Sequence, residues 1–144
     1  VNAAQKTRMV SKIEEALGGS VADRNIAVLG LTFKPETDDM RDAPSLTILP
    51  PLVQKGAHIR AHDPQGMEEA ARELPPGVEF VDDIYDTVRD ADAVVLITEW
   101  NQYRGLPLDR VKSLMRGDVF VDLRNVYERE LMASHGFRYT CVGR

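Results

Sequence analysis

The residues best suited to ligand binding in this sequence come directly after its apolar runs. In chain order they are Phe33, Lys34, Asp63, Glu99, Trp100, Arg124 and Asn125. Lysine and arginine side chains suit phosphate groups, and a flat aromatic ring suits a nucleotide base. Ligands of open α/β sheets bind beyond the carboxyl ends of the strands. The pattern therefore predicts a nucleotide-binding edge.

The segment at residues 30–44 joins the first apolar run to a helical pattern, and it is long for such a connection. It carries two cations, Lys34 and Arg41, among four acids. Gly30 stands there without the G-x-G-x-x-G pattern that lets a backbone approach a pyrophosphate. We therefore expect side chains to hold any phosphate. The alternative is a solvated run of charges that pair with one another.

The remaining candidates each have a structural explanation as well. Asp63 stands where an acid of a Rossmann fold meets a ribose hydroxyl, but an aspartate before a proline is also a common turn former. Trp100 can form a wall for a base or cover an edge of the core. Arg124 can bind an anion or pair with Asp122 or another neighbouring acid. The residues alone leave these alternatives open.

No local pattern predicts a catalytic group or a metal site. His58 and His62 alternate on one run without a Cys or His partner at metal-ligand spacing, so we expect no zinc site. Cys141 is the only cysteine and lies in the last apolar run. It is expected to be a buried structural thiol. With no Ser-His-Asp arrangement in the sequence, we assign no catalytic residue.

The composition is that of one globular domain. A chain of 144 residues can bury a sizeable core, and its net charge of −5 argues against nucleic acid or an anionic membrane as a partner. No apolar run approaches the roughly 20 residues that span a bilayer. A single cysteine fits a reducing compartment, so we expect a cytoplasmic protein. Because the chain opens within a helical pattern, we expect it to be part of a longer protein.

Apolar, strand-like runs alternate with helical patterns along the chain. The runs lie at residues 26–31, 57–62, 78–81, 93–98, 119–122 and 137–142. The helical patterns lie at residues 2–18, 44–56, 67–74, 84–89, 108–115 and 128–134. Pro50 and Pro51 predict a kink in the second helix. With right-handed crossovers, the alternation predicts an α/β fold: a doubly wound, mostly parallel, Rossmann-like sheet of about six strands with helices on both faces.

The first helical pattern, at residues 2–18, has an apolar face formed by Met9, Val10, Ile13 and Leu17. One interpretation is a surface helix that packs on this domain. The other is a linker helix that joins a missing N-terminal domain or forms a dimer contact. A pair of glycines is expected to end the helix.

Several segments together carry a specific resemblance. The longest is VLGLTFKPETDDMRDAPS at residues 28–45. The others lie at residues 56–57, 62–64, 97–101, 121–125 and 143–144. In order, in spacing and over essentially the whole chain, these segments resemble the UDP-glucose 6-dehydrogenase family, within the wider UDP-glucose/GDP-mannose dehydrogenases.

The resemblance implies the architecture and the activity of the whole enzyme. Members of the family have an N-terminal NAD-binding domain, a long central helix and a C-terminal Rossmann-like domain that holds the UDP part of the substrate. Residues 1–18 would be the end of the central helix, through which a homodimer forms, and residues 19–144 the C-terminal domain. The enzyme oxidises UDP-glucose twice with NAD to give UDP-glucuronate. This chain alone is expected to be inactive.

The resemblance also implies roles for individual residues. Phe33, Lys34 and Arg124 occupy substrate-binding positions, and Arg41 matches an arginine that reaches the NAD held mainly by the other domain. The catalytic cysteine of the family lies in the part that precedes this chain. Cys141 lacks the glycine-rich context of that nucleophile and does not match it.

Two other interpretations remain open at this stage. A sister enzyme that acts on GDP-mannose or a UDP-N-acetylhexosamine would share the segment at residues 37–41, although residues 98–100 and 122–125 resemble the UDP-glucose branch more. Alternatively, the domain serves mainly as a structural or assembly module that dimerises through the first helix.

Overall fold

The computed structural model describes the backbone of residues 3–142 and the side chains of residues 8–142. The motif predicted at residues 143–144 and the start of the predicted first helix lie outside the described residues. The strands are β1 (Asn25–Leu29), β2 (His58–His62), β3 (Val78–Phe80), β4 (Ala93–Leu96), β5 (Val119–Asp122) and β6 (Arg138–Cys141). The helices are α1 (Ala3–Ala16), α2 (Ser45–Gln54), α3 (Met67–Glu73), α4 (Ile84–Val88), α5 (Asn101–Arg104), α6 (Leu108–Leu114) and α7 (Arg129–Ser134).

The strands form one six-stranded sheet in the order β3-β2-β1-β4-β5-β6. All five pairings among the described strands are parallel. This confirms the predicted α/β sheet, and the order is that of a doubly wound Rossmann fold. The direction of winding reverses between β1 and β4. The carboxyl ends of these two strands, where ligands of such folds bind, therefore mark the place of the candidate site.

Helices cover both faces of the sheet. Side chains alternate along each strand, so each strand contributes to the core on both faces. On β1, Ile26 and Val28 belong to a core shared with α1, α2 and α3. Ala27 and Leu29 belong to a second core, which contains residues of α4, α5, α6 and α7. All four side chains are at most 1% exposed. Two buried faces explain why the central strands are apolar throughout rather than alternately apolar and polar.

Helix α1 packs on this domain. Met9, Val10, Ile13 and Leu17 are all buried in the core that also contains residues of α2 and β5. This is the packing that the first interpretation predicts, and the role of the helix as a linker stays a prediction. The side chains that would form a dimer contact are therefore occupied within the chain itself.

One expectation about the helices is untested, and one helix was not predicted. Helix α2 continues through Pro50 and Pro51, and the kink expected there stays a prediction. The four-residue helix at Asn101–Arg104 was not predicted, because so short an element shows no apolar period. Within residues 3–142, no helix is both long enough and apolar enough to cross a membrane.

Candidate functional site

The loop from β1 to α2 begins with a rigid, buried segment. Gly30 has a φ of +96°, a conformation that favours glycine. Just after it, the hydroxyl of Thr98 donates to the carbonyl of Thr32 at 2.7 Å, and the hydroxyl of Ser45 donates to the carbonyl of Leu31 at 2.6 Å. These bonds fix the start of the loop against β4 and α2, so that the residues from Phe33 onward leave the sheet from a defined point.

Asp63 is part of the same support. Its Oδ2 accepts hydrogen bonds from the backbone N–H groups of Leu31 and Thr32, at 2.7 and 3.2 Å. Its Oδ1 accepts from the backbone N–H groups of Gln65 and Gly66. The residue is 1% exposed. Its interpretation as a turn former is therefore confirmed, and its carboxylate is not available to a ribose hydroxyl.

Three of the predicted ligand residues line one cleft at this edge of the sheet. Phe33, Lys34 and Arg124 surround a volume of about 470 Å³ together with Asp42 and Pro44. Phe33 is 47% exposed, which is unusual for a residue with a large apolar side chain. Among the described residues, the ammonium group of Lys34 makes no ion pair. The cleft thus presents an accessible aromatic side chain, a lysine that makes no ion pair within the described part of the chain, and a guanidinium group.

The backbone around Arg124 is held by a buried carboxylate at the end of β5. Asp122 accepts the N–H of Arg124 with one oxygen, at 3.0 Å, and the N–H groups of Val126 and Tyr127 with the other. The guanidinium group of Arg124 forms an ion pair with Glu99, at 2.6 Å between Nη2 and Oε2. The predicted pairing with a neighbouring acid is therefore present, and the partner is Glu99 rather than Asp122.

Arg41 lies in a different depression from the other three candidates. A neighbouring space of about 700 Å³ is lined by Arg41 and Met40 together with several acids. Arg41 donates from Nε and Nη2 to the two carboxylate oxygens of Asp39, each at 3.0 Å. These hydrogen bonds lower the pKa of the Asp39 carboxyl to about 2. For Arg41, the expectation of a self-paired charge run is thus confirmed, although its side chain remains 89% exposed.

Two of the remaining candidates do not contribute a side chain to the cleft lining. Trp100 is 4% exposed and packs in the second core, so it covers the core rather than forming a wall for a base. Asn125 has a φ of +56° and turns the chain after Arg124. Asp42, with a φ of +57°, was missed as a cleft residue. Its left-handed conformation is not visible in the spacing of the sequence.

The other polar groups singled out in the sequence are structural. His62 is buried and its Nδ1 lies 2.6 Å from the hydroxyl of Tyr103. Burial lowers the pKa of the His62 imidazole and raises that of the Tyr103 hydroxyl. Cys141 is buried. In the part of the chain that the structure describes, no group of three or more His, Cys, Asp or Glu side chains could hold a metal ion.

The strand order, the winding of the sheet and the cleft at its reversal point define a doubly wound, Rossmann-like domain. Residues 27–129 match the UDP binding domain of the UDP-glucose/GDP-mannose dehydrogenase family. The chain belongs to this family, and the resemblance predicted from its motifs is confirmed.

Individual relatives agree with this assignment. The UDP-glucose 6-dehydrogenase of Rhizobium meliloti is 48% identical over 144 residues, which are all of this chain and 33% of the relative. A UDP-glucose dehydrogenase structure from Pyrobaculum islandicum is 33% identical with a TM-score of 0.77 over 95% of this chain and 29% of that one. The structure of an NDP-N-acetyl-D-galactosaminuronic acid dehydrogenase from Methanosarcina mazei is 30% identical with a TM-score of 0.80, over 99% of this chain and 29% of that one. The chain thus spans about a third of the length of the relatives it matches.

Proposed function

We propose that this chain is the UDP-sugar-binding part of an NAD-dependent dehydrogenase that oxidises UDP-glucose to UDP-glucuronate in two steps. The observation that carries the proposal is the cleft lined by Phe33, Lys34 and Arg124. Its volume of about 470 Å³ lies within the range of small-molecule sites. The nucleotide is assigned as UDP because the chain matches the UDP binding domain of its family.

The chemistry of the cleft suits a nucleoside diphosphate. Lys34 supplies a point charge and Arg124 a planar guanidinium group, which are complementary to the two phosphates. The half-exposed ring of Phe33 offers a flat apolar face for the uracil or ribose. Asp42 brings one negative charge into the same lining, and Glu99 pairs with Arg124 from outside it. Lys34, which makes no ion pair among the described residues, is therefore the cation of the lining most available to an anionic ligand.

The turn after β1 does not fit a dinucleotide. A Cβ at Gly30 would lie 2.5 Å from Cβ of Thr98, so the turn is already filled by its neighbour and offers no glycine cradle for a pyrophosphate. In the proposed enzyme, NAD is therefore held mainly by another domain, and Arg41 is the residue of this chain that reaches it. The catalytic cysteine also belongs to that other part, which agrees with the burial of Cys141.

The proposed whole enzyme places residues 1–18 at the end of a central linker helix and residues 19–144 in the UDP-sugar domain. It acts in the cytoplasm as a homodimer. Because the apolar face of α1 is buried in its own domain, a dimer contact near this helix would have to use side chains other than Met9, Val10, Ile13 and Leu17. Analytical ultracentrifugation of this chain tests a contact made by the helix: a monomer would contradict it.

Calorimetric titration of this chain with UDP tests the proposed site. We expect Lys34→Ala and Arg124→Ala each to weaken UDP binding by about tenfold or more, since a charge-assisted contact is worth about 1.5–3 kcal/mol. Arg138→Ala is the matched control, because Arg138 also forms an ion pair with an acid but lies at the amino end of β6. Equal UDP affinities in the four proteins, or no UDP binding at millimolar concentration, would contradict the proposal.

A second candidate substrate class has an observation in its favour. The solved Methanosarcina mazei relative acts, by its description, on an N-acetylhexosamine derivative, and its fold matches as well as that of the UDP-glucose enzyme. Displacement of UDP by UDP-glucose, UDP-N-acetylglucosamine and GDP-mannose separates the alternatives. We expect UDP-glucose to compete and GDP-mannose to fail. No NADH should form with any of them, because this chain lacks the catalytic cysteine and the main NAD site.

A further inference from the structure

The contact between Glu99 and Arg124 uses one particular edge of the guanidinium group. Oε2 of Glu99 accepts a hydrogen bond from Nε of Arg124 at 2.7 Å, and the same oxygen lies 2.6 Å from Nη2. A guanidinium group has five N–H donors in a fixed plane. Glu99 therefore occupies the Nε side of the plane and leaves the two Nη1 hydrogens and one Nη2 hydrogen free. One hydrogen of Nη1 and one of Nη2 form the outer edge of the group, which Glu99 does not cover.

The backbones of both partners are fixed by buried neighbours. Glu99 stands between Thr98 and Trp100, which are 1% and 4% exposed. Arg124 follows Leu123, whose N–H donates to the carbonyl of Leu96 at 3.0 Å, and its own N–H is held by Asp122. The ion pair therefore joins two residues whose backbones are fixed at neighbouring strand ends.

The exposure of the pair argues against a role in stability. The side chains of Arg124 and Glu99 are 37% and 17% exposed, and ion pairs near the surface add little to the free energy of folding. Arg124 lines the cleft, whereas Glu99 contacts it from outside the lining. A carboxylate at that place holds the arginine without meeting the ligand directly.

We propose that Glu99 is a positioning residue that holds Arg124 by its Nε edge, so that the free Nη edge meets a phosphate oxygen pair of the bound nucleoside diphosphate. The inference rests on the proposed UDP site and deepens it. Without Glu99, the arginine would have to be immobilised each time a ligand binds. That ordering lowers affinity, because a long side chain loses its rotamer freedom in the complex.

A double-mutant cycle on UDP affinity tests the inference. We expect Glu99→Ala to weaken UDP binding by about three- to tenfold, the cost of ordering one long side chain. In the Arg124→Ala background the same substitution should change affinity by less than about twofold, because Glu99 acts only through Arg124. Glu99→Gln should restore most of the affinity, since the amide oxygen can accept the same hydrogen bond from Nε of Arg124. A purely structural role for Glu99 would give neither the dependence on Arg124 nor this rescue.

Two other outcomes separate the inference from the proposed function. Equal losses on Glu99→Ala in both backgrounds would overturn the positioning role while leaving the UDP site in place. An unchanged UDP affinity in Arg124→Ala would remove Arg124 from the proposed site and the inference with it. The ¹H–¹⁵N signal of Arg124 Nε, assigned by its loss in Arg124→Lys, gives a readout without ligand. It should exchange slowly with water in the wild-type chain and rapidly in Glu99→Ala, and rapid exchange in both would also overturn the inference.

Discussion

The carboxylate of Asp63 accepts a hydrogen bond from the backbone N–H of Leu31 at 2.7 Å. This hydrogen bond connects the residue after β2 to Leu31, the second residue after β1. The same side chain accepts the N–H groups of Thr32, Gln65 and Gly66. One buried acid thus organises two adjacent strand ends, and the loop that carries Phe33 and Lys34 starts from that support.

We expect Asp63→Ala to lower the free energy of unfolding by about 3–5 kcal/mol, because several buried N–H groups would lose their acceptor. Asp63→Asn keeps one acceptor oxygen, so its cost should fall between those of the alanine variant and the wild-type chain. Denaturant unfolding measures both. Glu130→Ala, at an exposed acid, is the control and should change stability by less than about 0.5 kcal/mol. Similar costs for Asp63→Ala and Glu130→Ala would contradict this role.

The sheet could be predicted from the sequence because its strands are marked by composition. The apolar, β-branched run at residues 93–98 predicts a buried strand, and the structure places β4 at Ala93–Leu96. The helical patterns were equally visible where an apolar face recurs, as at Ile48, Leu49 and Leu52 of α2. The period at which apolar residues recur marks the buried face of a helix or strand. Every central element of a doubly wound sheet must have such a buried face, so these elements are visible in the sequence.

The side-chain partners within the site could not be predicted in the same way. Several acids stand near Arg124 in the fold, and the sequence does not say which one a long side chain reaches. The partner proved to be Glu99, which is 25 positions away. Likewise, the buried position of Asp63 depends on hydrogen bonds to loop backbone, which leave no periodic trace. The spacing of the residues in the sequence predicted the edge of the sheet at which they lie. Contacts between residues far apart in the sequence decide which charged side chains at that edge are available to a ligand.

Gly30 provides a test of the packed turn after β1. Its φ of +96° is strained for any L side chain, and a Cβ there would lie 2.5 Å from both Cβ and the backbone nitrogen of Thr98. We expect Gly30→Ala to cost more than about 3 kcal/mol in the free energy of unfolding. Gly105→Ala is the matched control, because Gly105 has a φ of −116° and nothing within 4 Å of the added atom.

In contrast to Gly30→Ala, the control Gly105→Ala should leave stability unchanged or raise it by up to about 1 kcal/mol, since alanine restricts the unfolded chain. Thermal unfolding of the two variants against the wild-type chain measures the difference. If Gly30→Ala unfolds at the same temperature as Gly105→Ala, the turn is not packed against Thr98 as described.

The buried imidazole of His62 should make the free energy of unfolding depend on pH. Burial lowers the pKa of its imidazole, although the nearby acids Asp63, Asp82 and Asp83 act in the opposite direction. The folded chain therefore takes up a proton at His62 less readily than the unfolded chain, whose histidine has the ordinary pKa of 6.5. Because the unfolded state then binds more protons, stability should fall as the pH drops below 6.5. The loss should be complete once the pH is below the lowered pKa of the folded state.

Unfolding midpoints in guanidinium chloride between pH 8 and pH 5 measure this dependence. We expect the midpoint of the wild-type chain to decrease below pH 6.5, and that of His62→Gln to decrease less. Glutamine does not titrate and can still contact the hydroxyl of Tyr103, which lies 2.6 Å from the imidazole. Parallel profiles for the two proteins would show that another group is responsible for the change.

The ion pair of Asp92 and Arg116 tests how burial changes the contribution of an ion pair to the free energy of unfolding. The carboxylate of Asp92 is 7% exposed and accepts from Nε and Nη2 of Arg116 and from the backbone N–H of Asn25. Hydrogen bonds from Arg116 hold the pKa of Asp92 below its ordinary value of 3.8. We expect Arg116→Ala to cost about 1–3 kcal/mol at pH 7, because it leaves a buried carboxylate with one donor. Arg138→Ala breaks an exposed pair with Asp118 and should cost less than about 1 kcal/mol.

The cost of Arg116→Ala should also depend on pH in a defined direction. A carboxyl whose pKa is lowered by folding contributes stability above 3.8, and this contribution is lost as the pH falls through the pKa of the folded state. Denaturant unfolding at pH 7 and near pH 3 should therefore show a large difference between Arg116→Ala and the wild-type chain at the higher pH and a smaller one at the lower. An equal difference at both values would mean that Arg116 stabilises the chain through packing of its aliphatic stem rather than through the charge of Asp92.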